Sequence, residues 1–482
     1  MISTLHRKLI RDLLHMRGQM LAVTAVMACG IATYVTEQCA FRALVTAQSD
    51  YYAGYRFADV FAHLKRAPES LFNAILAIPG VASVQTRVVA EVTLDVPGLE
   101  EPATGRLVSI PERRMPMLND LFLRQGRYIE PGQRGEVLVS EAFAEANRLQ
   151  VGDRLGAVLN GKWEPLHIVG IALSPEYIYE IRPSEVFPDS RRFGVLWMSR
   201  DVLGPAFNMQ DAFNDVAISL SRGANQPEVI ARVDALLERY GGLGAYGRED
   251  QLSYRYLTDE LAEIRTTAVI LPTLFLGVVA FLLHVLLSRL VGTQRGQVAV
   301  LRAFGYRSSE IGIHYLQLAL VAISLGAASG IALGYWIGQG LTGIYAQYFH
   351  FPVLQLRLDP QVLLLAAGIS AASACLGALS AVRRAVALAP AEAMRPEAPA
   401  TFRPGWLERF SLWTLLSPAS RMIVRNLERR PWKAFFSALG VALAVSILVV
   451  GRFAIDSVER LVDVQFEKVQ REDVMITFQE PR

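Results

Sequence analysis

The sequence "QRGQVAVLRAFGYRSSEIGIHYL", residues 294–316, indicates the class of fold. It carries arginines and an apolar stripe, yet long apolar runs lie directly before and after it. At helical spacing Val298, Leu301 and Phe304 share one side, while Arg295 and Arg302 are available to anionic surfaces. The pattern predicts a short amphipathic helix between two membrane spans.

The end of this helix has its own sequence signal. Gly305 can adopt the left-handed conformation that stops a helix, and Ser308 with Glu310 can begin the next one. A helix in this position fits either the lipid headgroup region or a groove on a cytoplasmic protein. Periodicity does not separate these two roles.

Composition indicates a membrane protein. Of the 482 residues, 52% are hydrophobic and only 19% are charged, whereas soluble domains have about 25% charged residues. The net charge of +3 gives no argument for a nucleic-acid partner. Cys29, Cys39 and Cys375 lie in or beside apolar runs, so we expect no disulfide framework.

Five apolar stretches are long enough to cross a bilayer, which takes about 20 residues. They are residues 19–40, 266–291, 312–343, 361–382 and 434–453. Lysine and arginine, which resist translocation, are concentrated in the N-terminal segment and in the second-to-third and fourth-to-fifth connections. The N-terminus and these two connections are therefore predicted inside the cell, and the long first-to-second connection outside it.

The chain repeats its own beginning. "LIRDLLHMRGQMLAVTAVMACGIA" from Leu9 aligns without gaps with "IVRNLERRPWKAFFSALGVALAVS" from Ile423, at a constant offset of 414. Each unit begins with a basic amphipathic helix and a span, and residues 474–478 are predicted to open a second outer domain. The repeat disfavours a cleaved signal peptide at the N-terminus. It also predicts that the chain is the front portion of a longer two-unit protein.

Residues 41–265 have a mixed pattern that predicts an α+β domain. Apolar helical stripes at its two ends predict a pair of packed helices. Between them strands alternate with short helices, one of which has Ser140 as its predicted N-cap and Glu141 in its first turn. The run "SVQTRVVAEVTLDV", residues 83–96, is predicted as one strand.

One segment of this domain partly matches the sequence motif of a phosphate-binding loop. "GAVLNGKW", residues 156–163, matches G-x-x-x-x-G-K but has Trp163 where Ser or Thr would bind magnesium. Asn160-Gly161 between apolar runs favours a two-residue hairpin instead. No catalytic or metal-binding motif occurs in the sequence. The polar, aromatic residues 174–180 are interpreted as a surface loop in preference to a ligand site.

The third span contains four glycines at a spacing of four residues. They are Gly326, Gly330, Gly334 and Gly338. Glycines at this spacing line one face of a helix and let a second helix backbone approach closely in lipid. We therefore predict a transmembrane packing seam. The partner helix can belong to this chain or to a second copy.

Three stretches carry a family resemblance. The residues 295–334, "RGQVAVLRAFGYRSSEIGIHYLQLALVAISLGAASGIALG", and 387–396, "ALAPAEAMRP", resemble the signature region of FtsX-like ABC transporter permeases, which include the MacB-type exporters and lipoprotein-releasing permeases. The middle domain, with "LRQGRYIEPGQRGEVLVSEAFAEANRLQVGDRL" at residues 123–155 followed by "LHIVGI" at 166–171, is similar to the periplasmic core domain of the same permeases. Gln297 departs from the pattern, because that family commonly has Glu there.

The resemblance implies a polytopic α-helical membrane protein of the bacterial inner membrane with an inserted α+β extracytoplasmic domain. It implies that a separate ABC ATPase subunit hydrolyses ATP, so the chain is not itself an enzyme and needs no cofactor. Implied cargo is lipid, lipoprotein or another hydrophobic or peptide molecule. Further implied partners are membrane lipid, a second permease copy and a periplasmic protein. The residues that would couple to the ATPase are Arg295, Val298, Leu301, Arg302, Phe304 and Gly305.

These inferences predict an order of domains along the chain. It runs as an amphipathic helix 1–18, span 19–40, extracytoplasmic domain 41–265, permease domain 266–384 with its coupling segment 292–311, cytoplasmic linker 385–433, span 434–453, and the start of a second extracytoplasmic domain 454–482. Two other functions stay open: a membrane sensor, and an envelope scaffold that controls a cell-wall hydrolase. Co-purification of an ATPase would exclude the sensor.

Overall fold

The computed structural model describes residues 4–182, 185, 187–387, 417–429 and 431–469. The strand predicted at 474–478 and nearly all of the 387–396 motif lie outside these residues. The chain divides into two compact units. We call the described parts of 1–39, 265–339 and 357–476 the helical unit, and those of 40–264 and 340–356 the sheet unit.

The described parts of the helical unit consist mainly of helices, and the sheet unit has short helices between its strands. In chain order they are α1 (Thr4–His15), α2 (Arg17–Gly54), α3 (Leu71–Leu76), α4 (Glu141–Asn147), α5 (Arg200–Ala206), α6 (Gln226–Leu237), α7 (Leu252–Thr293), α8 (Arg295–Ala303), α9 (Ser308–Tyr348), α10 (Pro360–Ala387), α11 (Pro418–Arg429) and α12 (Pro431–Asp463). A π-helical turn, Val464–Val469, follows α12.

Five helices in the described part of the chain are long and apolar enough to cross a membrane: α2, α7, α9, α10 and α12. With 38, 42 and 41 residues, α2, α7 and α9 are about twice as long as a bilayer requires. Five such helices beside a sheet-containing domain confirm the predicted fold class of a polytopic helical membrane protein with an inserted α+β domain.

The internal repeat is visible in the helix boundaries. Adding 414 to Thr4 and His15, the ends of α1, gives Pro418 and Arg429, the ends of α11. The same shift takes Arg17, where α2 begins, to the first residue of α12. The two copies therefore share an amphipathic helix, a one-residue break and a long apolar helix.

The sheet unit contains two separate sheets. Their strands are β1 (Val60–Pro68), β2 (Val81–Arg87), β3 (Val89–Asp95), β4 (Ala103–Ile110), β5 (Phe122–Gly126), β6 (Glu136–Ser140), β7 (Arg154–Leu159), β8 (Lys162–Leu173), β9 (Phe193–Ser199), β10 (Ala212–Leu220) and β11 (Gly242–Gly247). The smaller sheet has the order β11-β1-β10-β2, with all neighbours antiparallel. The larger has the order β5-β8-β6-β9-β4-β3-β7.

The larger sheet closes on itself. The first half of β8 pairs with β7, and its second half pairs with β6 and β5, so six strands form a ring with β5 attached. Closure removes most exposed strand edges. Apolar side chains from these strands, among them Leu94, Leu107 and Leu196, fill one core together with Phe143 of α4. This ring provides a rigid body for the sheet unit.

The smaller sheet buries one face against α3 and α6. Val60, Val216 and Ile218 on its strands pack against Ile75 and Val233 on the helices. The other face of β1 and β10 is largely buried as well, because Phe61 and Ala217, which point to the opposite side of these strands, belong to a second apolar cluster. Amphipathic helices on one side of an antiparallel sheet complete a small α+β layer.

The apolar stripes at the two ends of this domain pack together as predicted. Leu44 on α2 and Leu257 and Ile264 on α7 form one buried cluster within the sheet unit. Phe349 and Phe351, which follow α9, complete the same cluster. No sequence pattern indicated these last two residues, because they lie some 90 positions beyond the residues that α7 contributes.

Two strand-level expectations have different outcomes. The Asn160-Gly161 hairpin is confirmed, because both residues have positive φ and Leu159 pairs with Lys162 across the turn. The single strand predicted for residues 83–96 is wrong. Val88 separates β2 from β3, and these two strands belong to different sheets. No glycine or proline marks the change.

Candidate functional site

The short helix α8 is defined at both of its ends by backbone hydrogen bonds. At its start the Val298 N–H donates to the Gln294 carbonyl at 3.0 Å. At its end the Gly305 N–H donates to the Arg302 carbonyl at 3.0 Å, and the Tyr306 N–H to the Leu301 carbonyl at 3.2 Å. With Gly305 at a φ of +93°, this is the Schellman arrangement. The predicted helix stop is confirmed.

The start of α9 is as predicted, because the helix begins at Ser308 and has Glu310 in its first turn. The Glu310 carboxylate accepts a hydrogen bond at 2.7 Å from the backbone N–H of Arg307, the residue before the helix. This is one half of a capping box, in which an acidic residue at the third helical position satisfies a free amide. Ser308 is the first helical residue and not the cap.

Not all of the predicted coupling residues share an exposed face. Phe304 is 80% exposed and Leu301 is partly buried, but Val298 is only 1% exposed and faces the interior of the helical unit. The side chains that share the open side with Phe304 are Gln297 and Val300. We call these three residues the exposed face of α8. Helical spacing alone did not show which edge of the apolar stripe was covered.

Arg302 connects the end of α8 to another helix. Its guanidinium donates to the carbonyl of Val386 on α10 at 2.8 Å and also contacts the hydroxyl of Ser308. A guanidinium placed this way satisfies a carbonyl at the end of a helix. Arg302 therefore holds the α8–α9 turn against α10, in addition to carrying charge.

The glycine seam faces α2 of the same chain. A Cβ placed on Gly326 would lie 2.9 Å from the Thr24 carbonyl oxygen, and one on Gly334 would lie 2.6 Å from that of Ala32. The Thr36 hydroxyl on α2 donates to the Gly334 carbonyl at 2.9 Å. Gly330 makes an equally close approach, and Gly338 is also buried. The sequence had left the partner helix open.

Residues 174–180 are buried, so their interpretation as a surface loop is wrong. Ser174, Glu176 and Glu180 are each at most 5% exposed. The sequence pattern was misleading because polar residues are usually exposed unless they are paired. Here the partners come from distant parts of the chain.

Arg87 is the main partner of this segment and forms a buried ionic cluster. Its guanidinium donates to both oxygens of Glu176, at 2.5 and 3.1 Å, and to Asp215 at 2.6 Å. The Asn119 amide donates to Glu176 at 2.7 Å, and His63 lies 2.6 Å from Asp215. The cluster joins the two sheets, because Arg87 and Asp215 belong to the smaller one and Glu176 follows β8 of the larger.

The charges of this cluster stabilise one another. Burial alone would raise the pKa of Asp215, but Arg87 and His63 lower it to about 2. Burial alone would lower the pKa of His63, but the Asp215 carboxylate raises it above its usual value. Arg87 keeps its positive charge, since the two carboxylates outweigh its desolvation and raise its pKa. Asp215 and Arg87 are therefore ionised at neutral pH.

The pKa of Glu180 shifts in the opposite direction, because this carboxyl is buried and none of the cations in the described part of the chain pairs with it. Burial raises its pKa to about 8. The Ser140 hydroxyl donates to Glu180 at 2.7 Å and accepts from the Val195 N–H at 3.3 Å. Ser140 does stand at the N-cap position of α4, but its side chain makes no capping hydrogen bond. The predicted cap is thus correct in position and wrong in its hydrogen bonds.

The high pKa of Glu180 predicts a pH-dependent stability. Its folded-state pKa lies above the unfolded value of about 4.3, so the folded protein holds the extra proton between these limits. Stability of the sheet unit should therefore fall as pH rises from about 5 to 8, with this group contributing up to about 1.4 kcal/mol per pH unit. Denaturant midpoints of the full chain at several pH values would measure the slope.

The matched variant is Glu180→Gln, which keeps an acceptor for Ser140 but has no charge to bury. We expect it to be more stable than the wild type at pH 8 and similar at pH 5. Equal slopes for both proteins would contradict the assignment.

A cleft of about 640 Å³ lies within the sheet unit. Its lining includes apolar Phe57, Phe72 and Met115 and the charged residues Arg56 and Arg200. The volume is within the range of small-molecule sites, about 300–1,000 Å³. Among the described residues, no three His, Cys, Asp or Glu side chains are grouped so that they could hold a metal ion.

Comparison with known proteins gives one family match and several distant relatives. Residues 269–390 match the description "FtsX-like permease C-terminal". An uncharacterized ABC transporter permease protein of Mycobacterium tuberculosis is 22% identical over 265 residues, which are 54% of this chain and 29% of that protein. The chain thus spans less than a third of the length of this relative.

Solved structures with similarity include an extracellular domain and a periplasmic region of other proteins. The extracellular domain of the noncanonic ABC-type transporter YknZ from Gram-positive bacteria is 16% identical, with a TM-score of 0.27, and covers 39% of this chain and 98% of its own. The periplasmic region of MacB from Actinobacillus actinomycetemcomitans is 12% identical, with a TM-score of 0.28, and covers 45% and 97%.

Proposed function

We propose that this chain, whose residues 269–390 match the C-terminal domain of FtsX-like permeases, couples ATP hydrolysis by a separate ABC ATPase subunit to a conformational change outside the membrane. The chain is a multi-pass membrane subunit of the ABC transporter permease class. On this proposal α1 and α8 are cytoplasmic, and residues 41–265 form the extracytoplasmic domain. The membrane is the bacterial inner membrane.

The observation that supports the proposal is the exposed face of α8. A nine-residue helix between two candidate spans presents Phe304 at 80% exposure and Val300 at 45%. A large aromatic side chain left open on a fixed helix is typical of an anchor that inserts into a partner's pocket. The ATPase would bind this face, and its nucleotide-driven closure would displace α8.

The proposed cargo is a lipid, a lipoprotein or another hydrophobic or peptide molecule, exported or extracted outside the inner membrane. This part rests on the family alone. Membrane lipid, a second permease copy and a periplasmic protein are the further partners that we propose. Mass spectrometry of molecules that co-purify with the permease and its ATPase would identify the cargo.

Phe304→Asp tests the docking role. Placing a carboxylate in an apolar pocket should weaken binding of the co-purifying ATPase by at least about tenfold and remove its stimulation, as expected for loss of an interface anchor. Membrane insertion should not change, because Phe304 makes few contacts in the chain itself. ATPase pull-down and phosphate release measure the two effects.

The matched control is Leu243→Asp, which changes another exposed apolar residue, 74% accessible, in the sheet unit. It should leave ATPase binding intact. If Phe304→Asp also binds and stimulates the ATPase normally, the docking role is excluded.

The cleft of the sheet unit supports one alternative, in which the chain is a membrane sensor. Its volume suits a small ligand, and α8 would then signal to a cytoplasmic protein that is not an ATPase. An envelope scaffold that controls a cell-wall hydrolase would use the same ATPase partner as the permease. Absence of any ATPase in the purified complex would favour the sensor.

A further inference from the structure

The N-terminal helix α1 is joined to both ends of the α7–α9 connection by one buried polar group. The Asp12 carboxylate lies 2.5 Å from the Lys8 ammonium through Oδ2 and accepts from the Gln294 side-chain amide at 3.0 Å through Oδ1. Lys8 donates to the side-chain oxygen Oε1 of Gln294 at 2.7 Å, and the Tyr315 hydroxyl donates to the same atom at 3.1 Å. His314 Nε2 is 3.4 Å from Asp12. We call these five residues the Asp12 cluster.

The cluster is well shielded from solvent. Asp12 is 9% exposed, His314 is 3% and Tyr315 is 1%. A buried carboxylate is costly unless it is paired and hydrogen-bonded, and Asp12 is paired with Lys8 of the same helix and hydrogen-bonded to Gln294. Moving α1 away from Gln294 would keep the Lys8 pair but remove the amide from Asp12 and leave the Gln294 side chain without both Asp12 and Lys8. The contact therefore has one strongly preferred geometry.

Gln294 gives this geometry a direct connection to α8. Its side chain is held by Asp12 and Tyr315, while its backbone carbonyl accepts the first hydrogen bond of α8 from Val298. The end of α8 is held separately, by the hydrogen bond from Arg302 to the Val386 carbonyl of α10. Position and direction of α8 are thus fixed at its start by α1 and α9.

We propose that Asp12 is a positioning residue of the ATPase-coupling segment, acting through Gln294 to hold α8 at the angle that the ATPase engages and to make α1 and α9 move with it. This proposal rests on the proposed function of α8. Asp12 itself touches neither nucleotide nor ATPase. In the repeat the aligned residue is Asn426, which has no charge, so this ion pair belongs to the first copy.

A first test needs no ATPase. A nitroxide spin label is attached to Ala303→Cys, at the exposed end of α8, in the full chain in lipid nanodiscs. Asp12→Asn and Gln294→Leu should each increase the mobility of this label, and the double variant should show no further increase, because both changes break the same connection. Arg11→Gln removes an exposed charge one residue away on α1 and should leave the label unchanged.

A second test uses the chain with its co-purifying ATPase. We expect Asp12→Asn to bind the ATPase within about twofold of the wild type but to lower stimulated ATP hydrolysis by at least about fivefold. Arg11→Gln should retain both. A purely structural role would instead lower the amount of assembled protein without separating binding from stimulation.

The outcomes separate the two proposals. Unchanged label mobility in Asp12→Asn and Gln294→Leu overturns the positioning role, whatever the ATPase does. Increased mobility together with normal ATPase stimulation also overturns it, since α8 would then couple without being held. If Phe304→Asp has no effect on the ATPase while label mobility still responds to Asp12→Asn, the docking role of α8 fails and Asp12 holds α8 for another purpose.

Discussion

Replacing Gly330 with leucine is expected to force α2 and α9 apart. A Cβ on Gly330 would lie 2.7 Å from the Ala28 carbonyl oxygen, 2.9 Å from the Ile31 Cβ and 3.1 Å from the Ala28 Cα. Two of these atoms are backbone, so no rotamer change can remove the overlap. The helices must separate, and the hydrogen bond from Thr36 to Gly334 would be lost with the close contact.

The destabilisation caused by Gly330→Leu can be estimated from the cost of overpacking a protein core. Adding methylene groups where neighbouring side chains can still adjust costs about 1–3 kcal/mol, and a backbone neighbour cannot adjust. We therefore expect the melting temperature of the protein in detergent to fall by about 5–10 °C, at about 2–4 °C per kcal/mol. Fluorescence-detected size exclusion after stepwise heating would measure it.

Gly340→Leu is the matched control for this prediction. It introduces the same side chain ten residues further along α9, where an added Cβ would have no atom within 4 Å. The control should melt with the wild type. Equal melting of Gly330→Leu and Gly340→Leu would mean that the seam does not hold the two helices together.

The glycine seam illustrates how far a local pattern can be extended. Spacing of four residues predicted that one face of α9 is a close-packing surface, which depends only on helical geometry. The spacing did not identify α2 as the helix that packs against this face. Thr36 and Gly334 are 298 positions apart, and no local sequence pattern connects them. The helix stop at Gly305 and the hairpin at Asn160 were predictable for the same reason: each depends on the φ preference of one or two residues.

The wrong predictions concern residues whose contacts come from distant parts of the sequence. Glu176 is polar and follows a strand, so its sequence context indicates a surface loop, but Arg87 lies 89 positions earlier and neutralises it in the interior. Val298 satisfies the helical spacing of an exposed apolar stripe and is nonetheless covered by the helical unit. The type of a residue indicates how much free energy its burial costs. Only the fold shows whether ion pairs or hydrogen bonds offset that cost.

The larger effect is expected from Arg87→Ala. This change would leave Glu176 and Asp215 buried at 5% and 1% exposure without the guanidinium that binds both. Removing one member of a buried ion pair costs about 3–5 kcal/mol. Because the cluster joins the two sheets, we expect the loss in the free energy of unfolding to affect the whole sheet unit. Amide hydrogen exchange in β2 and β10 should accelerate by at least about a hundredfold.

Two variants distinguish the loss of charge pairing from a general effect of removing arginine. Arg192→Ala deletes a guanidinium whose pair with Glu101 is exposed at 58% and 67%, and such a pair is worth at most about 1 kcal/mol. Adding Glu176→Gln to Arg87→Ala removes one of the unpaired charges, so it should recover part of the lost stability. If the exchange rates in Arg87→Ala match those in Arg192→Ala, the cluster does not hold the sheets together. If the double variant recovers no stability, the loss in the free energy of unfolding does not come from the unpaired carboxylates.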